Sequence, residues 1–472
     1  MQRLGRAGQV ARAGHGLKSG ELVEFHFCSV RIRRTLVSQI RIGFVKPLSL
    51  LRRAYKERLM QTRKLGPVLL TGFIIGPILG SGIVILPPLA YGLLGNWALP
   101  AWVVITLIGA LFAAVFGNLS ILFPGDSGVS QCVALAFGPK AKILTSYFLM
   151  GAVCVGPVAV ALTAARYLGL GGILADELVA MGLVLIIWTL LLRRIASLGT
   201  AAFVLSSVSA ALLLVGGVGC LISMPAVQPP AEPFEPMRFG YGLLLLFWTV
   251  VGWEIIGNYS AEIRDPRRTI PRSVALSVLV IASVTLTVAA AMQSVGGRTM
   301  AGILAPVFGP GSVVLLSVLA VALCLVTELA FTGAVSRLMA ALASDGALPA
   351  VLARRNGSGA PSVAATALTA IHLSVLALSL AGMLSVERMV ALANGFFLAN
   401  AIMALLAGAR VLGSRVMRTS AAVLAVVLGC VLAMSSWPLL LALAGVTWWV
   451  LGRRGELTLG PSADEDRVLD PD

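Results

Sequence analysis

The sequence predicts an all-α integral membrane protein of about 12 transmembrane helices, and three observations lead there. Hydrophobic residues make up 58% of the 472 residues and charged ones only 12%, with a mean hydropathy of +0.95. No water-soluble core could hide that much apolar surface. The apolar residues gather into windows of roughly 19 residues, the length a helix needs to cross hydrocarbon. The basic residues between those windows are concentrated on alternate connecting segments.

In chain order, the first five windows cover about 67–94, 98–123, 143–168, 173–192 and 199–224. A Pro-rich connector, MPAVQPPAEPFEP, separates them from windows at about 239–259, 273–292, 311–342, 363–381, 390–412, 419–434 and 437–451. Residues 453–472 form a tail. Of the 21 Lys and Arg residues after position 66, seventeen fall on one side of this arrangement; Arg166, Arg238, Arg298 and Arg388 fall on the other. Lys and Arg in short loops stay in the cytoplasm, so both termini are expected there.

The net charge of +16 does not imply a nucleic-acid partner, because most of it lies outside the membrane part. Residues 1–66 hold 15 Lys and Arg against Glu21, Glu24 and Glu57. Three readings of this basic extension stay open: an arm touching anionic lipid, a transit-like presequence, or translation begun upstream of the native start. In the last case Met60, which opens MQTRKLGPVLLTGF, is the natural first residue. Cys28, Cys132, Cys154, Cys220, Cys324 and Cys430 are scattered without a CxxC pair, which suggests neither a disulfide framework nor a metal site.

Two of the windows are interrupted. The stretch ILGSGIVILPP, Ile78 to Pro88, places Gly80-Ser81-Gly82 and then two prolines inside the first span. Gly and Pro cost about 1 and 3 kcal/mol relative to Ala within a helix. The first span after the connector carries Gly252 and Gly257 around WEIIGN. Isolated glycines in membrane helices often serve only close packing. Interruptions at corresponding positions of two halves point instead to a transporter site at a repeat interface. In hydrocarbon, unwound backbone survives only where protein, water or solute supplies hydrogen-bond partners. A zwitterion supplies both kinds. The half-helix starting after Gly82 would aim N–H groups and its positive dipole end at a carboxylate, and freed carbonyls would accept from an ammonium.

Glu254, at mid-membrane depth, is expensive there and so a functional candidate; its alternative is a structural acid accepting from the backbone of the broken first span. Trp248 precedes it by six residues, which puts the pair off one face of an intact helix, though an unwound turn at Gly252 changes that geometry. Glu328, inside CLVTELAFTGAVSR, either titrates a proton or faces a polar bundle interior. His372 reads as a hydrogen-bonded packing residue.

The segment SAEIRDPRRTIPRS, residues 260–273, resembles the cytoplasmic loop after the sixth span of the amino acid–polyamine–organocation superfamily. In order, LGSGIVILPPLA, FPGDSGVSQCVALAFG (123–138), FWTVVGWE (247–254) and SRLMAALASDGALPAVLARRNGSGAPSVA (336–364) are similar to the same superfamily. The first two, with ANGFFLANAIMALLAG (393–408), resemble bacterial exporters of methionine and branched-chain amino acids. The resemblance implies a LeuT-like five-plus-five inverted repeat, residues 67–224 and 239–412, with helices 1 and 6 broken. Two accessory helices would follow within 413–452, and the tail would be cytoplasmic. It further implies that Gly80, Ser81, Gly82 and Ile83 bind the substrate's carboxylate and neighbouring groups, and that backbone around Gly252 takes the ammonium. Trp248 would close over substrate, Glu254 would lie beside the broken first helix, and Trp253, also expected to line the substrate site, stands where a smaller aliphatic residue is usual. The fifth span has no lysine, where proton-coupled members of the superfamily can carry one, so a lysine-based proton mechanism is unsupported.

The expected function is alternating-access transport of a neutral aliphatic amino acid across the plasma (bacterial inner) membrane, without a cofactor. The partners are the amino acid and the lipid bilayer. H+, Na+ and exchange coupling, the direction of flux and the oligomeric state all stay open. The alternatives are an importer or exchanger of different range, a polytopic membrane enzyme, or a sensor that binds without turnover. Asp126, Asp265 and Asp345 sit singly in turn sequences, so no second catalytic group stands out for an enzyme.

Overall fold

The computed structural model describes residues 66–123, 128–170, 175–193, 198–224, 227–253, 256, 263, 265–297 and 299–452. The basic extension with Met60, the C-terminal tail, Glu254, Gly257, and Ser260, Ala261, Glu262 and Arg264 of the 260–273 loop lie outside these residues.

Every regular element among the described residues is helical. The first span is two helices, α1 (Pro67–Leu79) and α2 (Gly82–Leu94), separated at Gly80 and Ser81. Helix α1 starts on proline, whose missing N–H would have had no partner in the first turn. The Ser81 carbonyl accepts from the N–H groups of Val84 and Ile85, which restarts the helical ladder. There follow α3 (Ala98–Leu122), the short α4 (Gly128–Phe137), α5 (Pro139–Leu168), α6 (Asp176–Leu191) and α7 (Leu198–Ser223). Helix α8 (Pro236–Leu246) tightens into a 3-10 turn at Phe247–Val250 and then stops, with Gly252 at φ +118°. The second half continues with α9 (Pro266–Ser294), the short α10 (Met300–Phe308), α11 (Ser312–Ser344), α12 (Ser362–Leu380) and α13 (Val386–Val411). It closes with α14 (Arg415–Ala433) and α15 (Trp437–Gly452). By length and composition, eight helical segments of the described residues can cross a membrane.

Several helices begin a turn or more before the apolar windows. Helix α5 starts at Pro139 rather than 143, α9 at Pro266 rather than 273, and α14 at Arg415 rather than 419. The hydropathy signal stops at Lys140, Lys142, Arg267, Arg268, Arg272 and Arg418, while the helical backbone runs on to a proline or to a cap such as Ser414, which accepts from the Met417 N–H. Helices α4 and α10 are too short to appear as spans, although the side chain of Thr299 caps α10 by accepting from the Gly302 N–H.

Across the two halves, α2 packs on α8, α3 on α9, α5 on α11 and α6 on α12. Helices α1, α7 and α9 pack against one another, and α13 lies along α5 and α14. Polar ties stitch the first of these groups. Ser273 Oγ donates to the Pro67 carbonyl at 2.9 Å, and Ser206 Oγ donates to the Gly76 carbonyl at 3.3 Å.

His372 takes the packing role expected of it, for a definable reason. Pro157 lies inside α5 and cannot donate to the carbonyl four residues earlier, that of Val153. The buried His372 of α12 places Nε2 2.8 Å from that same carbonyl, which fixes the Nε2–H tautomer. His372→Leu is expected to destabilise the folded protein by about 1–3 kcal/mol. In a Pro157→Ala background the penalty should shrink by more than half, because the helix then satisfies its own carbonyl. Thermal unfolding of the four proteins in detergent measures this.

Candidate functional site

The two interruptions meet. The 3-10 turn at 247–250 contacts both α1 and α2, so the end of α8 faces the break in the first span. At that break the backbone N–H of buried Ser81 donates to Thr327 Oγ1 of α11 at 3.2 Å, and Thr327 Oγ1 donates to the Leu323 carbonyl at 2.8 Å. Beyond it, Pro87 and Pro88 cannot donate to the carbonyls of Ile83 and Val84. The first turn of α2 thus presents a donor and two carbonyls relieved of their usual i+4 partners, all within four residues.

Trp248 lies over this break, 5% exposed. A Cβ on Gly82 would come within 3.0 Å of Trp248 Cδ1, and one on Gly156 of α5 within 3.1 Å of Cη2. The indole is therefore seated closely between two glycines, where even a methyl group would require it to shift. Two further rings lie beside it: Phe331 of α11, with ring centroids 6.4 Å apart, and Phe397 of α13, at 6.1 Å. Phe331 and Phe397 also meet at 5.8 Å, closing a triangle of rings. A cavity of about 210 Å³ adjoins Phe397, lined by Phe112, Phe247 and Val251 and by the polar Thr145, Ser146 and Asn400.

The turn that carries Trp248 is held by a residue the sequence did not single out. Asn394 of α13, fully buried, donates through Nδ2 to the carbonyls of Leu244 at 2.9 Å and Leu245 at 2.7 Å. These belong to the last turn of α8, where a helix runs out of its own donors. Its sequence signal was an amide, one of two, in the apolar middle of α13. Thr327, Phe331, Phe397 and Gly156 were likewise missed, because their partners come from distant segments.

Of the predicted site residues, Ser81, Gly82 and Trp248 come together, with Gly80 and buried Ile83 on either side of the Ser81–Gly82 pair. Gly252 is buried two residues past the 3-10 turn. Glu328 follows Thr327 on α11 and is 1% exposed. The side chain of Trp253 lies elsewhere, lining a small gap between α3 and α9 with Ile105, Gly109, Ile281 and Thr285. Four buried side chains near these elements keep polar atoms that make no hydrogen bond among the described residues: Ser81 Oγ, both Glu328 carboxylate oxygens, Thr332 Oγ1 and Asn394 Oδ1.

Comparison with known proteins matches residues 65–437 to a family described as amino acid permease. An Escherichia coli (strain K12) protein named L-methionine/branched-chain amino acid exporter YjeH is 25% identical over 375 residues, 76% of this chain and 89% of its own. A Bacillus subtilis (strain 168) protein named uncharacterized amino acid permease YecA is 27% identical over 335 residues, 68% of this chain and 78% of its own. The family match covers most of the chain, including both interruptions and the helices that pack around them. The chain thus belongs to the amino acid permease family of the amino acid–polyamine–organocation superfamily, and it is a multi-pass membrane protein.

Proposed function

We propose that the protein is a secondary active transporter moving neutral aliphatic amino acids, such as methionine or branched-chain amino acids, across the plasma membrane by alternating access. The observation that carries this reading is the meeting of two interrupted spans at Gly82 and Trp248. Backbone at a break recognises what all amino acids share. The half-helix α2 offers N–H groups and a positive dipole end to a carboxylate, and unwound backbone around Gly252 offers acceptors to an ammonium. The apolar, largely aromatic surroundings favour an uncharged side chain, and the name of the E. coli relative agrees.

The pairing of α2 with α8, α3 with α9, α5 with α11 and α6 with α12 supports a five-plus-five repeat, because each partner stands five spans later. With α14 and α15 added, the count is twelve, which returns both termini to the cytoplasm in line with the basic loops. Glu254, outside the described residues, enters this reading only through the resemblance, which would make it the acid beside the broken first helix. The aromatic triangle then works as a movable partition between the break and the cavity, and Trp248 must shift for substrate to pass.

Proteoliposomes containing the purified protein, tested with a panel of labelled amino acids for uptake, efflux and exchange, examine the proposal directly. Methionine, leucine, isoleucine or valine should exchange, and arginine and glutamate should not. If correctly folded protein moves none of the panel, the proposal fails. Trp248→Ala should weaken half-saturation for methionine at least tenfold, with Trp248→Phe between the two; unchanged values would assign the indole to packing alone.

A further inference from the structure

Glu328 is an acid in the middle of a long apolar helix that the reading above does not use. It stands at the middle of the 33-residue α11, about 24 Å of helical rise from either end. It is 1% exposed, and neither carboxylate oxygen has a hydrogen-bond partner among the described residues. Thr332, one turn later on the same face and equally buried, also leaves its hydroxyl oxygen unmatched. An unpaired carboxylate at such a place is costly, and removing the cost takes a cation.

Among the described residues the surroundings do not supply a fixed one. On α11 itself, Cys324, one turn earlier, is in electrostatic contact with Glu328. Arg337 donates to the Gly333 carbonyl. The helices packed on α11 are α5, α6, α7, α10 and α12. On α5, Lys140 and Lys142 lie in the first turn and Arg166 in the last, where it pairs with Asp176 of α6 at 3.7 Å. Also on α5, Tyr147 donates to the Ala347 carbonyl, Cys154 lies in mid-helix and Tyr167 is near enough to Cys324 to interact with it electrostatically. Glu177 of α6 accepts from Ser379, Cys220 of α7 points to the Ala291 carbonyl, and His372 of α12 is committed to Val153. Helix α10 carries no titratable side chain.

We propose that Glu328 is the site of the coupling cation, loaded by a proton, and that its occupancy is linked through Thr327 to the break at Ser81. The link is mechanical. Thr327, the preceding residue on α11, receives the Ser81 N–H, a donor at the mouth of the half-helix that binds carboxylate. A substrate carboxylate drawing on those donors competes with Thr327, which shifts the break relative to α11 and alters the space around Glu328. A proton taken up from one face is then released to the other as the same elements re-pack. The inference rests on the transport reading above.

Proteoliposome assays with methionine and leucine separate the two. Exchange without any gradient tests transport itself. Accumulation driven by an imposed pH gradient or, separately, a Na+ gradient tests coupling, with a trapped pH dye reporting proton movement. Glu328→Gln should keep gradient-free exchange within about threefold of wild type and lose pH-driven accumulation at least tenfold; Glu328→Asp should recover part of it. Retained pH-driven accumulation in Glu328→Gln would overturn the proposal, as would wild-type accumulation driven by Na+ with no proton movement. A readout free of transport uses wild-type protein in detergent. A hydrophobic carbodiimide, which modifies protonated carboxyls in apolar surroundings, should label Glu328, with labelling falling as pH rises and on adding methionine; no labelling at any pH would overturn the assignment even if the variants fail to fold.

Discussion

Gly82→Leu is expected to reduce amino acid exchange at least 100-fold while leaving the protein inserted in the membrane. Gly82 is not among the positive-φ glycines, so a side chain is compatible with its backbone, and replacing Gly by Leu in a helix gains roughly 1 kcal/mol of intrinsic propensity. The obstacle is space. The first added carbon already meets Trp248 Cδ1 at 3.0 Å, which a small movement of the indole could relieve. Three further carbons would have to occupy the volume of the ring, and overpacking on that scale costs about 1–3 kcal/mol. The indole would be forced from its seat between Gly82 and Gly156, and the N–H groups at the start of α2 would be screened from solute. Gly82→Ala, by the same reasoning, should keep measurable exchange. Surface yield, thermal unfolding and counterflow of labelled methionine check both. Full activity in Gly82→Leu would remove the break from the mechanism.

This case shows what the sequence could and could not say about the site. The interruptions at Gly80-Ser81-Gly82 and near Gly252 were legible because Gly and Pro inside an apolar window violate local propensity whatever the tertiary context. What each glycine does was not legible. Glycine at a break can serve by allowing an unusual φ or by allowing close approach, and residue type alone does not distinguish the two. In the structure Gly252 uses the first, at φ +118°, and Gly82 uses the second, with Trp248 against it. Backbone angle and side-chain clearance are set by segments far away in the chain, and periodicity carries no record of them. His372 illustrates the middle ground. Its type and setting pointed to a hydrogen-bonded packing role, but the partner became identifiable only when α12 was seen beside the proline-interrupted turn of α5. The helix starts at Pro139 and Pro266 could have been read from proline at the first helical position, a signal that hydropathy ignores.

Asn394→Asp is expected to be the most damaging single-atom exchange in the membrane part. The side chain keeps its size and loses the two hydrogens that reach the carbonyls of Leu244 and Leu245. The Leu244 carbonyl keeps the Phe247 N–H, but losing both Nδ2–H donors at buried carbonyls costs about 1–3 kcal/mol, and the new carboxylate oxygen would face them at hydrogen-bond distance with nothing to share. The effect reaches function because those carbonyls end α8, and the next residues form the turn on which Trp248 is mounted. A loosened turn lets the indole leave its position over Gly82, so exchange should fall by at least tenfold together with the unfolding temperature. Asn394→Leu separates the contributions. It removes the donors but also the unmatched Oδ1, and brings no charge, so it should destabilise less than Asp despite being the larger chemical change. A ranking of Asn, then Leu, then Asp in both unfolding temperature and exchange is the signature of a donor that caps a broken helix. If Asp matched Asn in both, the carbonyls of α8 would have to be satisfied without Nδ2, and Asn394 would have no part in holding Trp248.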